Sequence, residues 1–156
     1  MTRVKRSPPV QLVTLGHCTV NGRPTLHHRP AELVTLLAAH GGQLSRSALE
    51  LALFGGEACP SALPTQVLRV RGLGIQIDFS AATKLYALKT PVEIDALKFL
   101  QLLEQRCYIQ AAQLYGGAFL HRSQGAYATE LRTYLEDQLV QAAVASQDAP
   151  TLSHAA

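Results

Sequence analysis

The chain has 156 residues, 47% of them hydrophobic and 16% charged, a balance that suits one generous domain or two small ones and excludes disorder over most of its length. No apolar run reaches the ~20 residues of a membrane span, and Ser7-Pro8-Pro9 stands where a secretory leader would carry its apolar core, so a cytoplasmic protein without a membrane partner is expected. The net charge of +3 divides unevenly, with +6 on residues 1–90 and −3 on residues 91–156, as expected of a polyanion-binding module joined to a protein-facing one.

Residues 1–9 read as a flexible basic arm carrying Arg3, Lys5 and Arg6, closed by two prolines. Val10–Leu15 is β-branched and apolar, a strand. Cys18-Thr19-Val20 and Arg23-Pro24-Thr25 flank Asn21-Gly22, a pair suited to the two positive φ values of a type I′ turn, so a hairpin follows. Pro24 lacks an N–H for the ladder and marks an edge. From Pro30 the period becomes helical, with Leu33, Leu36, Leu37 and His40 on one stripe and Gly41-Gly42 as the stop. After the short link Gln43-Leu44, Ser45 caps a second helix over Arg46 to Leu53, ended by Gly55-Gly56.

A third helix is expected from Ser61 to Arg71, with Pro64 confined to its first turn because a proline further in would break it. Leu63, Val67 and Val70 cluster on one side; Ser61, Thr65 and Arg69, each four residues apart, line the other, with Gln66 at its flank. Two alternating runs, Gly74–Asp78 and Lys84–Leu88, then form a second hairpin around a Phe79–Thr83 turn. Thr90-Pro91-Val92-Glu93 has the residues of a capping box with proline at the first helical position. It predicts a helix starting at Pro91, with Ile94, Leu97, Leu100 and Leu103 inward. A partner helix over Ile109–Tyr115 would turn Ala112 and Tyr115 inward, and a last one over Gly125–Ser146 would bury Tyr127, Leu131, Tyr134, Leu135, Leu139 and Ala142. Residues 147–156 read as a disordered tail.

Helix, helix, helix and hairpin in that order are a helix-turn-helix with a wing, which places its recognition helix in the major groove of double-stranded DNA. Arg69 has the donors to read guanine, Gln66 suits adenine, and Ser61 and Thr65 reach phosphates or base edges. Arg46, Arg71 and the wing residues Lys84 and Lys89 are the expected phosphate contacts. His17, Cys18, His27 and His28 do not converge on a tetrahedral site when the first hairpin is paired outward from its turn, so no metal is expected. Cys18, Cys59 and Cys107 have no paired spacing and read as reduced thiols. No nucleophile motif or dinucleotide loop is present, so neither an enzyme nor a cofactor is expected.

Thr14-Leu15-Gly16, Val20–Arg23, Gly41–Leu49 and Leu68–Gly74 together resemble the response-regulator winged helix of the OmpR/PhoB type. More closely, the chain resembles the version found in the antibiotic-regulatory-protein class of bacterial activators. There a tetratricopeptide-like bacterial transcriptional activator domain follows, and Pro91–Phe99, Ala111–Leu120 and Glu130-Leu131-Arg132 resemble its pattern. The resemblance implies an α+β winged helix at 10–89 and a shortened all-α activator segment at 90–146. It also implies binding to direct repeats in DNA and contacts to RNA polymerase. A homodimer through residues 91–146 is expected as well, because so short a helical array leaves an apolar flank uncapped. The rival reading is a protein-interaction module whose winged helix no longer binds DNA, suggested by the single strong cation on the outward face of the third helix.

Overall fold

The computed structural model describes residues 8–25, 27–56 and 59–155, with side chains through Ser146. The arm cations Arg3, Lys5 and Arg6 lie outside the described residues.

Strand β1 (Val10–Val13) is followed by the hairpin β2 (Thr19–Val20) and β3 (Arg23–Pro24). Asn21 and Gly22 take φ of 50° and 82°, and β3 is the sheet edge that Pro24 requires. Helix α1 (Arg29–Ala39) buries Leu33, Leu36 and Leu37 and stops where Gly42 N–H reaches back to the Leu37 carbonyl at 2.7 Å. His40 falls outside the stripe expected of it, as the exposed C-cap. Strand β4 (Gln43–Ser45) leads into α2 (Arg46–Phe54), where the Ser45 hydroxyl accepts from Ala48 N–H at 3.1 Å and Gly55 closes the end in the left-handed region. Ser45→Ala should therefore cost about 1 kcal/mol, read as a lowered urea midpoint with an unchanged slope.

Helix α3 (Ala62–Gly72) buries Leu63, Val67 and Val70 and packs against α1. The wing is β5 (Ile77–Ser80) and β6 (Leu85–Leu88), joined to β4 in a second sheet of order β4-β6-β5. β5 begins and ends later than alternation predicts and β6 begins one residue later, so that Phe79, expected in the turn, lies in β5 and pairs with Tyr86, their ring centres 4.6 Å apart.

The largest departure lies at residues 90–95. Val92–Ile94 is a strand, β7, and helix α4 (Asp95–Glu104) begins only at Asp95. Val10, Gln11 and Leu12 pair in parallel with Val92, Glu93 and Ile94, giving a first sheet of order β3-β2-β1-β7. Thr90, the expected cap, instead accepts Gln76 N–H at 2.7 Å. The sheet edge offered by β1 outbids the local capping pattern, and the helix takes its acid from Asp95, whose carboxylate favours a helix N-terminus. Asp95 also accepts Thr14 N–H at 2.8 Å, the Thr14 hydroxyl at 2.6 Å and Leu15 N–H at 3.0 Å.

The fully buried residues of α4 are Ala96 and Phe99, while Leu97, Leu100 and Leu103, expected inward, are half-buried around them. In α5 (Tyr108–Leu114) Ala111 points inward and Ala112 outward, against expectation. Helix α6 (Ala126–Ala155) buries Ala128, Leu135 and Ala142 and leaves Tyr134 half exposed. Its backbone stays helical to Ala155, beyond the Ser146 end expected from the sequence. Alanine at 142, 143 and 145 favours that continuation.

Helix α6 packs on α1 and α2 as well as on α4 and α5, so the helical half lies against the winged helix. The segment after β1 tightens that joint. Gly16 N–H donates to the Ala118 carbonyl at 3.1 Å, and Leu120 N–H to the Thr14 carbonyl at 2.9 Å. Gly16 has φ +83°, and a Cβ there would meet the Gly116 carbonyl oxygen at 2.5 Å, so only glycine permits the approach.

Candidate nucleic-acid interface

Helix α3 is held from behind and open in front. Leu63, Val67 and Val70 are 3% exposed or less, while Ser61, Thr65, Leu68 and Arg69 face outward. Ser61 stands just ahead of the first turn, at the N-cap, and its hydroxyl lies 3.2 Å from the Cys59 thiol instead of capping the helix. Thr65 occupies the middle of the outward face. Beside it is Leu68, 65% exposed. The polar spacing that singles out Ser61, Thr65 and Arg69 passes over this leucine, although it falls on the same side of the helix. An exposed leucine there offers apolar contact of the kind a thymine methyl accepts.

Gln66 is half-buried, and its side-chain oxygen is enclosed without a hydrogen-bond partner among the described residues. Arg69 stands on the flank of α3 that faces Thr25, His27 and Pro30. Arg71, on the opposite flank, is engaged: its Nε and Nη2 donate to the Ile77 carbonyl at 3.2 and 2.7 Å. That guanidinium fastens the end of the helix to the first strand of the wing.

The remaining expected cations lie at the wing and at the start of α2. Lys84, at the wing turn, is exposed with φ +57°, and its carbonyl accepts Arg46 N–H at 3.2 Å. The start of α2 is thereby fixed beside the wing. Arg46 itself forms a 3.1 Å ion pair with Glu50, the only salt bridge among the described residues. Lys89 is exposed at the foot of the wing, where its N–H donates to the Gln76 carbonyl at 2.8 Å.

Behind α3 the two halves meet through polar groups that sequence patterns do not announce. Glu32 of α1 is fully buried. It accepts the Ser123 hydroxyl at 2.6 Å and Ala128 N–H, in the first turn of α6, at 3.0 Å. Burial raises its pKa above the usual carboxylate range, opposed by those two hydrogen bonds and by Arg29 and Arg132. Nearby Tyr127 is pushed up to about 12, by burial first and the Glu32 charge second. Gly125 leaves the room this needs, since a Cβ there would sit 2.5 Å from the Glu32 carboxylate. Arg132 holds the adjoining turn by donating to the carbonyls of Phe119, Leu120 and Ser123 at 2.9, 2.6 and 2.8 Å. His28, also buried, accepts Arg122 N–H at 3.2 Å on Nδ1. Burial first and neighbouring His121 second lower its pKa, opposed by a hydrogen bond with the Leu120 backbone, with Arg122 and Arg132 adding less.

Among the described residues no three His, Cys, Asp or Glu side chains gather as metal donors, and no helix is long and apolar enough to cross a membrane.

No protein-family model matches the chain, and no curated protein matches it. Among solved structures, EmbR of Mycobacterium tuberculosis, in complex with a low-affinity phosphopeptide, is similar in fold, with a TM-score of 0.57 and 15% identity. The match covers 94% of this chain and 51% of that one, so the chain spans about half the length of that structure. The shared fold is an α+β winged helix followed by a helical segment.

Proposed function

We propose that the chain is a DNA-binding transcriptional regulator that lays α3 in the major groove. The observation that carries this reading is the geometry of α3: its apolar back is sealed on α1, and Thr65 and Leu68 project outward beside a wing. In that arrangement Thr65, Leu68 and Ser61 meet base edges, Gln66 contributes from the flank, and Lys84, Lys89 and Arg46 lie on the backbone rails. Arg71 acts through the wing strand that it holds. The helical half serves protein contacts, to RNA polymerase or to a second copy. Its support is exposed apolar side chains on α5 and α6, with Ile109, Val140 and Val144 each more than half exposed.

The test is binding of the full chain to mixed genomic duplexes over a salt series. Affinity should fall steeply with salt, and selection should enrich particular sequences. Thr65→Ala with Leu68→Ala should flatten the enrichment by roughly tenfold while leaving the salt slope unchanged, since neither residue neutralises a phosphate. Binding that ignores salt, or no binding at all, refutes the reading in favour of a protein-interaction module.

A further inference from the structure

A cleft of about 320 Å³ opens where α3 meets the segment before α1 and the turn before α6. His27, His28, Arg29, Arg69 and Arg122 line it, and among the described residues no aspartate or glutamate does. A neighbouring hollow of about 440 Å³ continues along the same flank and shares His27 and Arg69. The charges in this place are unequal in their freedom. Arg29 is spent, with its guanidinium on the Leu53 carbonyl and 5.0 Å from the centre of the Phe54 ring. Arg69 and Arg122 have exposed side chains and no side-chain hydrogen bond or ion pair among the described residues. Glu32, which accepts the hydroxyl of the lining Ser123, has both oxygens already accepting hydrogen bonds.

We infer that this cleft is a phosphate-binding site in which Arg69 from α3 and Arg122 from the helical half hold one phosphate group between them. Two guanidiniums from separate elements, with His27 beside them, suit the tetrahedral oxygens of a phosphate. The chemistry is the same whether the phosphate belongs to a duplex or to a soluble phosphorylated molecule. In the duplex case the inference rests on the proposed function. The cleft then holds the backbone on the side of α3 opposite the Arg71-anchored wing, so the helical half grips DNA directly.

The experiment compares the full chain with Arg122→Ala, Arg69→Ala and, as a charge-matched control, Lys98→Ala. The Arg122 contact to His28 is through its backbone and survives the substitution, so an unchanged thermal midpoint without ligand is expected and checks folding. In the duplex arm, Arg122→Ala and Arg69→Ala should each reduce the magnitude of the salt slope by about 0.9, and weaken all sequences alike. Lys98→Ala should not. In the soluble arm, inorganic pyrophosphate should raise the thermal midpoint of the wild type and of Lys98→Ala but not of the two arginine variants. A loss confined to the duplex arm assigns the site to DNA backbone; a loss confined to the pyrophosphate arm assigns it to a soluble phosphate. If the wild type binds no duplex, the proposed function fails while the pyrophosphate arm still decides the site. Arginine variants that match Lys98→Ala in both arms overturn the inference.

Discussion

Glu32→Ala is expected to destabilise the protein by roughly 3–4 kcal/mol, from a buried hydroxyl and a buried N–H each left without an acceptor at about 1–3 kcal/mol. The Ser123 hydroxyl and Ala128 N–H lose their acceptor inside the molecule. For a chain of this size the loss reads as a fall of very roughly 6–16 °C in Tm. Amide exchange gives the more specific readout, because protection should fall first at the start of α6, which Glu32 caps. The pH dependence has a definite sign. Burial raises the folded-state pKa above its ordinary value of 4.5, so the folded protein binds the proton more tightly than the unfolded chain does. The contribution from this group is complete below about 4.5 and is lost as pH rises through the folded pKa. Wild-type stability relative to Glu32→Gln should therefore grow as the pH falls from neutral toward that range. A difference that shrinks with acidification would show that Glu32 is ionised and favoured as such.

Asp95→Ala should cost about 3 kcal/mol, measured by urea titration with far-UV detection. Three donors from Thr14 and Leu15 converge on this carboxylate, and Ala96 N–H reaches it at 2.9 Å. Asp95→Asn should recover less than half of the loss. An asparagine oxygen can still serve Thr14, but its NH₂ group then opposes Leu15 N–H, donor against donor. Full rescue by asparagine would mean that charge is unimportant and that shape alone holds the joint. The two acids thus fasten opposite ends of the helical half: Asp95 ties the start of α4 to β1, and Glu32 ties the start of α6 to α1.

Local chemistry made much of this fold readable. Asn21-Gly22, Ser45 and Gly55 each settle their conformation within a few residues, and the pattern Leu63, Val67, Val70 identifies the back of α3 without reference to anything else. Thr90–Glu93 misleads because the decisive partner, β1, is remote in the chain. Val92 and Ile94 alternate as a strand requires, yet three residues are too few for a period to outweigh a capping signature. In the candidate interface, Thr65 and Arg69 were legible as outward residues from spacing alone. Leu68 was not, because an apolar residue on a polar face reads as noise until its exposure is seen. Arg122 and Glu32 escape any one-dimensional reading. One gains meaning only when a turn before α6 is brought beside α3, the other only when a helix terminus arrives above it.

The parallel pairing of β1 with β7 has a consequence for how the chain is made. Gln11 and Glu93, whose side chains meet at 2.8 Å, are 82 residues apart. At a synthesis rate of about 5–20 residues per second, the amino-terminal strand spends roughly 4–16 s with one flank unsatisfied before its mate is translated. Throughout that interval the nascent chain carries a bare β-edge, open to capture by another chain, until translation of the helical half supplies the missing neighbour.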